Sequence, residues 1–342
     1  MHRTTIALAA LLVASAAALA QEPGPYKVLA VTKVGGAGGY DYITADAENR
    51  KLYIPRMGAG TSHVSVFDLD KLVPLREIPE ANAHGVAVDE RSGHAFSSSK
   101  PVLMWDAKTL APIKNITVQG APDGIFADAF NQRVYVLSHA APNVTVLDAK
   151  DGAVLGTLDI GGAPEQAVSD DKGHLYLDIE DKAAIAVIDT KTMKVIGKFD
   201  LTGKGDGCAG LAIDTKHGIL FAACREPNVM VIVSAADGKV ITTLPIGHGC
   251  DGAVFNSATD EVFSTQGDGT LTVIKENSPT SFAVQQTVST PLRARTITLD
   301  ARTGHIFTIT AEFGPAPAAQ PGQRPARPPM ISDTFQIITI GR

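Results

Sequence analysis

A segment of about forty residues recurs seven times along this chain, so the fold has to be an array of like units. Each unit opens on an apolar-x-apolar-Asp anchor that closes on Asp46, Asp89, Asp128, Asp170, Asp214, Asn256 and Asp300, at intervals of 39 to 44 residues. An aromatic trails each anchor by six or seven residues: Tyr53, Phe96, Tyr135, Tyr176, Phe221, Phe263 and Phe307. Within the third unit, strands are expected over residues 124–128, 133–138, 143–148 and 154–160. Val144-Thr145-Val146-Leu147-Asp148 shows the apolar–polar alternation of a two-faced strand, and Asp151-Gly152, Asp237-Gly238 and Asp268-Gly269 supply tight turns. Period and strand count together predict an all-β chain, a single seven-bladed β-propeller of four-stranded antiparallel blades filling residues 21–342.

Only three strands can be found in the seventh unit, over residues 295–299, 305–310 and 334–340. The segment from Tyr26 to Val34 has no partner of its own, and placing it outermost in the last blade closes the ring and protects its edges. Residues 314–329 are rich in Pro, Gly and Ala, so they are expected as a surface loop between the second and third strands of that blade, either a spacer or a lid.

Residues 1–20 read as an export signal: His2 and Arg3 precede an apolar stretch from Ile6 to Leu19, which ends in the small-x-small site Ala18-Leu19-Ala20. A periplasmic or secreted location is expected, with no membrane span after cleavage, because no later stretch is long and apolar enough. The formal net charge of −6, with no concentrated basic face, speaks against nucleic acid as a partner. A monomer is expected.

Val134-Tyr135-Val136-Leu137, followed by Asn143 to Asp148, Gly152-Ala153-Val154 and Ile160-Gly161-Gly162-Ala163-Pro164, resembles the YVTN-type repeats of YncE-like exported propellers. The cadence returns in Leu175-Tyr176-Leu177 with Ala186 to Thr190, and the resemblance spans Tyr26 to Arg342. Lys275 and Thr339 stand where the third-strand Asp is expected in units six and seven. The single Trp105-Asp106 is similar to a WD dipeptide and is read as that same third-strand Asp. The resemblance implies a propeller outside the cytoplasm and carries no catalytic motif.

Five residues before each anchor stand Asp41, His84, Asp123, Glu165, Ala209, Asp251 and Arg295, a position that falls at one mouth of the central channel. Crowded carboxylates raise one another's pKa unless a cation compensates, which suits Ca²⁺ or another divalent ion on Asp123, Glu165, Asp251 and His84. His84 is equally a candidate proton carrier. The ends of the second strands add Arg56, Lys100, His139, Glu180, Arg225 and Glu312 as an outer rim, with Arg56 and Arg225 joining the ligand-binding set.

Two functions follow. One is a binding or scaffold protein with a small ligand or protein partner at the mouth. The other is a metal-assisted lactonase, lyase or hydrolase using the acidic ring. Serine-hydrolase elbows, Walker loops and H-E-x-x-H helices are absent from the sequence. Of the three cysteines, Cys208 and Cys224 fall opposite each other in a hairpin and are the first choice for a disulfide; pairing with Cys250 and a three-thiol metal site with His248 are the alternatives.

Overall fold

The computed structural model describes residues 24–58, 62–79, 82–317 and 328–342. The segment read as an export signal lies outside them. Seven four-stranded antiparallel sheets follow one another as blades. Blade three shows the plan, with strands Pro122–Asp128, Arg133–Ser138, Val144–Asp148 and Val154–Leu158 paired in sequence order. Among the described residues no helix is long and apolar enough to cross a membrane.

The recurring Asp has a local physical task. At the end of each inner strand it accepts the backbone N–H two or three residues on and so fixes the turn into the second strand. Asp46 takes the N–H of Asn49, Asp89 that of Ser92, Asp214 that of Lys216 and Asp300 that of Arg302, all within 3.1 Å. Asn256 does the same for Ala258, so the amide serves where the acid is missing. Asp106 caps its outer turn at Lys108 and Thr109 as Asp148 does at Lys150, so Trp105-Asp106 is one instance of the general pattern.

The recurring aromatics are buried, and one apolar cluster fills each seam between adjacent blades. Strand register refines the third-strand reading. Thr339 pairs with the aromatic Phe307, so Gly341 occupies the position of the capping Asp, and in blade five Ser234 occupies it.

Blade seven closes the ring as its missing strand implied. Lys27–Lys33 pairs antiparallel with Gln336–Gly341, which pairs with Ile306–Thr310 and through it with Ile297–Leu299. Tyr26 reinforces this clasp by donating its hydroxyl to Glu261 of blade six at 2.6 Å, while Arg342 reaches the same carboxylate at 2.7 Å. At the Pro-rich loop the chain leaves and returns through a bridge between Phe313 and Met330; residues 318–327 lie outside the described residues.

Candidate functional site

At the mouth, side chains from successive blades form a circuit of alternating charge. His84 Nδ1 stands 2.7 Å from Asp41 Oδ2 and 2.9 Å from Asp123 Oδ1. The other oxygen of Asp123 lies 3.3 Å from His139 Nε2, which is 3.4 Å from Glu165 Oε1. Beyond Glu165 comes Glu180, bound by Arg225; the same guanidinium bonds Asp251, and Asp251 meets Arg295 at 3.1 Å. Arg295 in turn feels the charge of Asp41 across the mouth, without a direct ion pair to it among the described residues.

Electrostatics follow from this order. Asp123 and then Asp41 raise the His84 imidazolium to about 10, and Glu165 leads in raising His139 to about 9, so both are cations near neutrality. Glu180 is the exception to alternation: burial, then Glu165 beside it, raise its carboxyl. Burial also raises Asp251, against the pull of Arg295 and Arg225.

One residue further along each inner strand stand Tyr42, Gly85, Gly124, Gln166, Gly210, Gly252 and Thr296. The glycines let strands converge. A Cβ on Gly124 would sit 2.4 Å from the carbonyl oxygen of Glu165, and one on Gly210 2.6 Å from the backbone of Gly252. Tyr42 and Gln166 fill the space so left. The Tyr42 hydroxyl crosses from blade one to Glu165 of blade four, and Gln166 receives the N–H groups of Leu211 and Ala253 while donating to the Ala253 carbonyl. They make a floor beneath the charged circuit. Further along the inner strands, a cavity of about 290 Å³ is lined by Thr44, Val88, Phe126 and Thr298.

Beside the circuit, a second cavity of about 580 Å³ is lined by Tyr40, His248, Arg293, Arg295, Phe313 and Met330. Arg293 lies 4.5 Å over the Phe313 ring, and among the described residues no carboxylate pairs with it.

The structure gathers Asp41, His84, Asp123, Glu165, Asp251, Arg295 and Arg225 in one circuit, with His139 and Glu180 from the rim. Arg56 departs from its expected ligand role. It is 2% exposed, lies 3.8 Å over the Phe335 ring and bonds the carbonyls of Gly35 and Ala37 through its two terminal nitrogens, so those donors serve the loop before blade one. Asp251 departs from the expected metal set, because two guanidinium groups already compensate it. Tyr42, Gln166 and Arg293 escaped the sequence reading. For the first two a signal existed, since they interrupt a run of glycines at equivalent positions.

Cys208 and Cys224 form a disulfide, and Cys250 is a buried free thiol. His248 lines the second cavity, and its backbone N–H is bonded to Asp268.

This architecture defines a seven-bladed β-propeller with a polar mouth and a closed floor. Among solved structures, the chain is similar to one described as a mitotic checkpoint complex, at 13% identity and a TM-score of 0.69, covering 90% of this chain and 96% of the other. It is similar to U3-55K, at 11% identity and a TM-score of 0.71 over 92% and 98%, and to the RRP9 WD40 repeats, at 11% and 0.71 over 93% and 99%. At such identity these likenesses establish the fold alone. No protein-family model matches the chain, and no curated protein does. The resemblance to YncE-like repeats accordingly rests on the repeat pattern, and none of these comparisons supports it.

Proposed function

We propose that this chain is an exported β-propeller binding protein, related to the YVTN-type family, whose mouth takes a small organic anion. The observation that carries the reading is the cavity beside Arg295 in which Arg293 has no carboxylate partner among the described residues. A carboxylate or phosphate seated there gains a charge-assisted hydrogen bond from a guanidinium already placed over the Phe313 ring. The Tyr40 hydroxyl at the cavity wall is bonded to the Arg293 carbonyl and so helps hold that residue in place, and the adjoining Asp251 is already paired with Arg295. A protein partner at the same face is compatible with the use of propellers as binding scaffolds. The test is thermal-shift and calorimetric screening against carboxylates and phosphates, comparing the native chain with Arg293→Gln. The expected result is a ligand that stabilises the first and fails on the second; binding that is indifferent to Arg293 refutes the assignment.

A second reading has its own observation. The contacts of His139 with Asp123 and Glu165, at 3.3 and 3.4 Å, match the edge of about 3.3 Å expected of a tetrahedron with metal–ligand arms of about 2.0–2.1 Å. A divalent ion on Asp123, His139 and Glu165 would polarise a substrate oxygen for lactonase, lyase or hydrolase chemistry, with His84 as the adjoining proton carrier. Metal analysis of the purified chain, with ester and lactone substrates assayed before and after chelation, decides it. Turnover that survives complete metal removal rejects this reading.

A further inference from the structure

Three ligand-type side chains meet at the seam between blades five and six, at the end of the inner strands away from the mouth. Asp214 ends the inner strand of blade five, His217 stands in the turn that follows, and Glu276 comes from the third strand of blade six. His217 Nδ1 lies 2.6 Å from Asp214 Oδ2 and 2.8 Å from Glu276 Oε1. The two carboxylate side chains are only 4% and 1% exposed.

Hydrogen bonding does not balance this cluster. One ring nitrogen carries at most one proton, and the directed bond goes to Glu276 Oε1. Asp214 Oδ2 has only the ion-pair contact with His217 and no directed hydrogen bond, and Glu276 Oε2 is sealed from solvent without a hydrogen-bond partner. Two carboxylates against one imidazolium also leave a net negative charge in a buried seam, which is costly. The next charge acting on Glu276 is Asp260, another acid, and Lys275 is drawn off to Asp260 at 3.7 Å. A divalent cation on a neutral imidazole would bring the sum to zero.

The blade plan does not call for an acid here. The position of Glu276 is defined by its backbone N–H bond to Asp260, and the same bond is made by Leu69, Ala107, Ala149, Thr190 and Ala235 in blades one to five. Apolar or small side chains fill the seam in those blades, and Tyr53 and Tyr176 each reach across to the carbonyl of Ala107 and Ala235. At the seam of blades five and six the aromatic is Phe221, which has no hydroxyl, and the acid stands opposite His217 instead.

We propose that Asp214, His217 and Glu276 form a binding site for a zinc-class divalent cation that staples blade five to blade six. Mixed oxygen and imidazole ligands suit zinc and its first-row neighbours, whereas calcium requires about six to eight oxygens. The three ligand atoms already lie within 4.8 Å of one another. Widening the two short contacts to a tetrahedral edge of about 3.3 Å takes sub-ångström movements, and the 26% exposure of His217 gives an ion a way in and water a fourth position.

The experiment uses the full chain stripped with chelator and titrated with Zn²⁺ alone by calorimetry, with Co²⁺ absorption as a spectroscopic readout of tetrahedral ligation. Three proteins are compared: native, Glu276→Gln at the seam, and the double variant Asp123→Asn with Glu165→Gln at the mouth. Loss of an outer-shell partner alone costs about 10–100-fold in metal affinity, so Glu276→Gln is expected to weaken one zinc site at least 100-fold and to abolish the zinc-induced rise in Tm. The mouth variant should keep both. Glu276→Gln replaces a buried charge with an amide of the same shape, and its own melting curve confirms that it folds. Zinc stoichiometry and affinity unchanged by Glu276→Gln, zinc lost only from the mouth variant, or no zinc taken up by the native chain each overturn the proposal. None of these outcomes bears on anion binding at Arg293.

Discussion

The hydroxyl of Tyr42 in blade one donates to Glu165 Oε2 in blade four at 2.5 Å, joining strands that are not neighbours in the ring. It also lies 3.2 Å from the Glu165 carbonyl oxygen. Burial, and then the charge of Glu165, raise the Tyr42 phenol well above its ordinary pKa, so it remains a donor at any physiological pH. This contact ties the floor of the mouth to the acid that also faces His139.

Replacing Tyr42 with Phe keeps the ring that fills the channel but leaves Glu165 short of its closest donor. A stability loss of about 1–2 kcal/mol is expected by denaturant titration, since an acceptor is left unsatisfied. The His139 imidazole should also titrate differently by NMR, because its partner carboxylate has lost a competing bond. An unaltered His139 titration would show that the two contacts are independent.

Alkaline pH should weaken the fold through the same circuit. The unfolded imidazole titrates near about 6.5, whereas His84 and His139 are raised to about 10 and about 9 in the folded chain. A group bound more tightly to its proton in the native state contributes its full stabilisation below the unfolded pKa and loses it as pH rises through the folded value. Tm is therefore expected to fall between about pH 6.5 and 10, and the slope should flatten in a His84→Gln, His139→Gln double variant. Parallel profiles for the two proteins would count against this account.

The clasp offers a local test of ring closure. Glu261 is 1% exposed at its side chain and satisfied by Tyr26 and Arg342. Tyr26→Phe should cost about 1–2 kcal/mol, whereas deleting residues 26–34 opens the edge of blade seven and should lower Tm far more. Equal melting curves for the deletion and the native chain are the result that would falsify the clasp.

Reduction should act at blade five alone. The bridge between Cys208 and Cys224 closes a separation of 16 residues, which loop-closure entropy values at about 3 kcal/mol. Burial pushes the Cys250 thiol up to about 12, so it is a poor nucleophile for exchange. Mass spectrometry of the alkylated native chain should show no modification before unfolding; rapid labelling of Cys250 would contradict its burial.

Much of this was legible before any coordinates, and the reason is locality. The anchor Asp caps a turn two or three residues away, so its spacing reports directly on the hairpins, and the blade count follows. Seven equivalent strand starts must surround one axis, which brings Asp41, His84, Asp123, Glu165, Asp251 and Arg295 together. Partner choice is another matter. Long side chains reach across blades by distances that spacing does not encode, so His139 bridges Asp123 and Glu165, Arg225 claims Glu180 and Asp251, and Arg56 turns inward onto Phe335. The encounter of His217 with Glu276 is of the same kind, since it depends on the register of two strands in different sheets.

By itself, the amino-acid order determined a ring of seven sheets, its closure by the first strand and the inner-strand residues that start at its mouth, because hairpin turns and strand alternation are short-range. Only the tertiary structure decided which charges neutralise one another, which arginine is left facing a cavity and where buried acids lack partners. Those outcomes depend on side-chain reach and burial across seams, and a carboxylate becomes a pair, an anion or a ligand according to what the neighbouring blade presents to it.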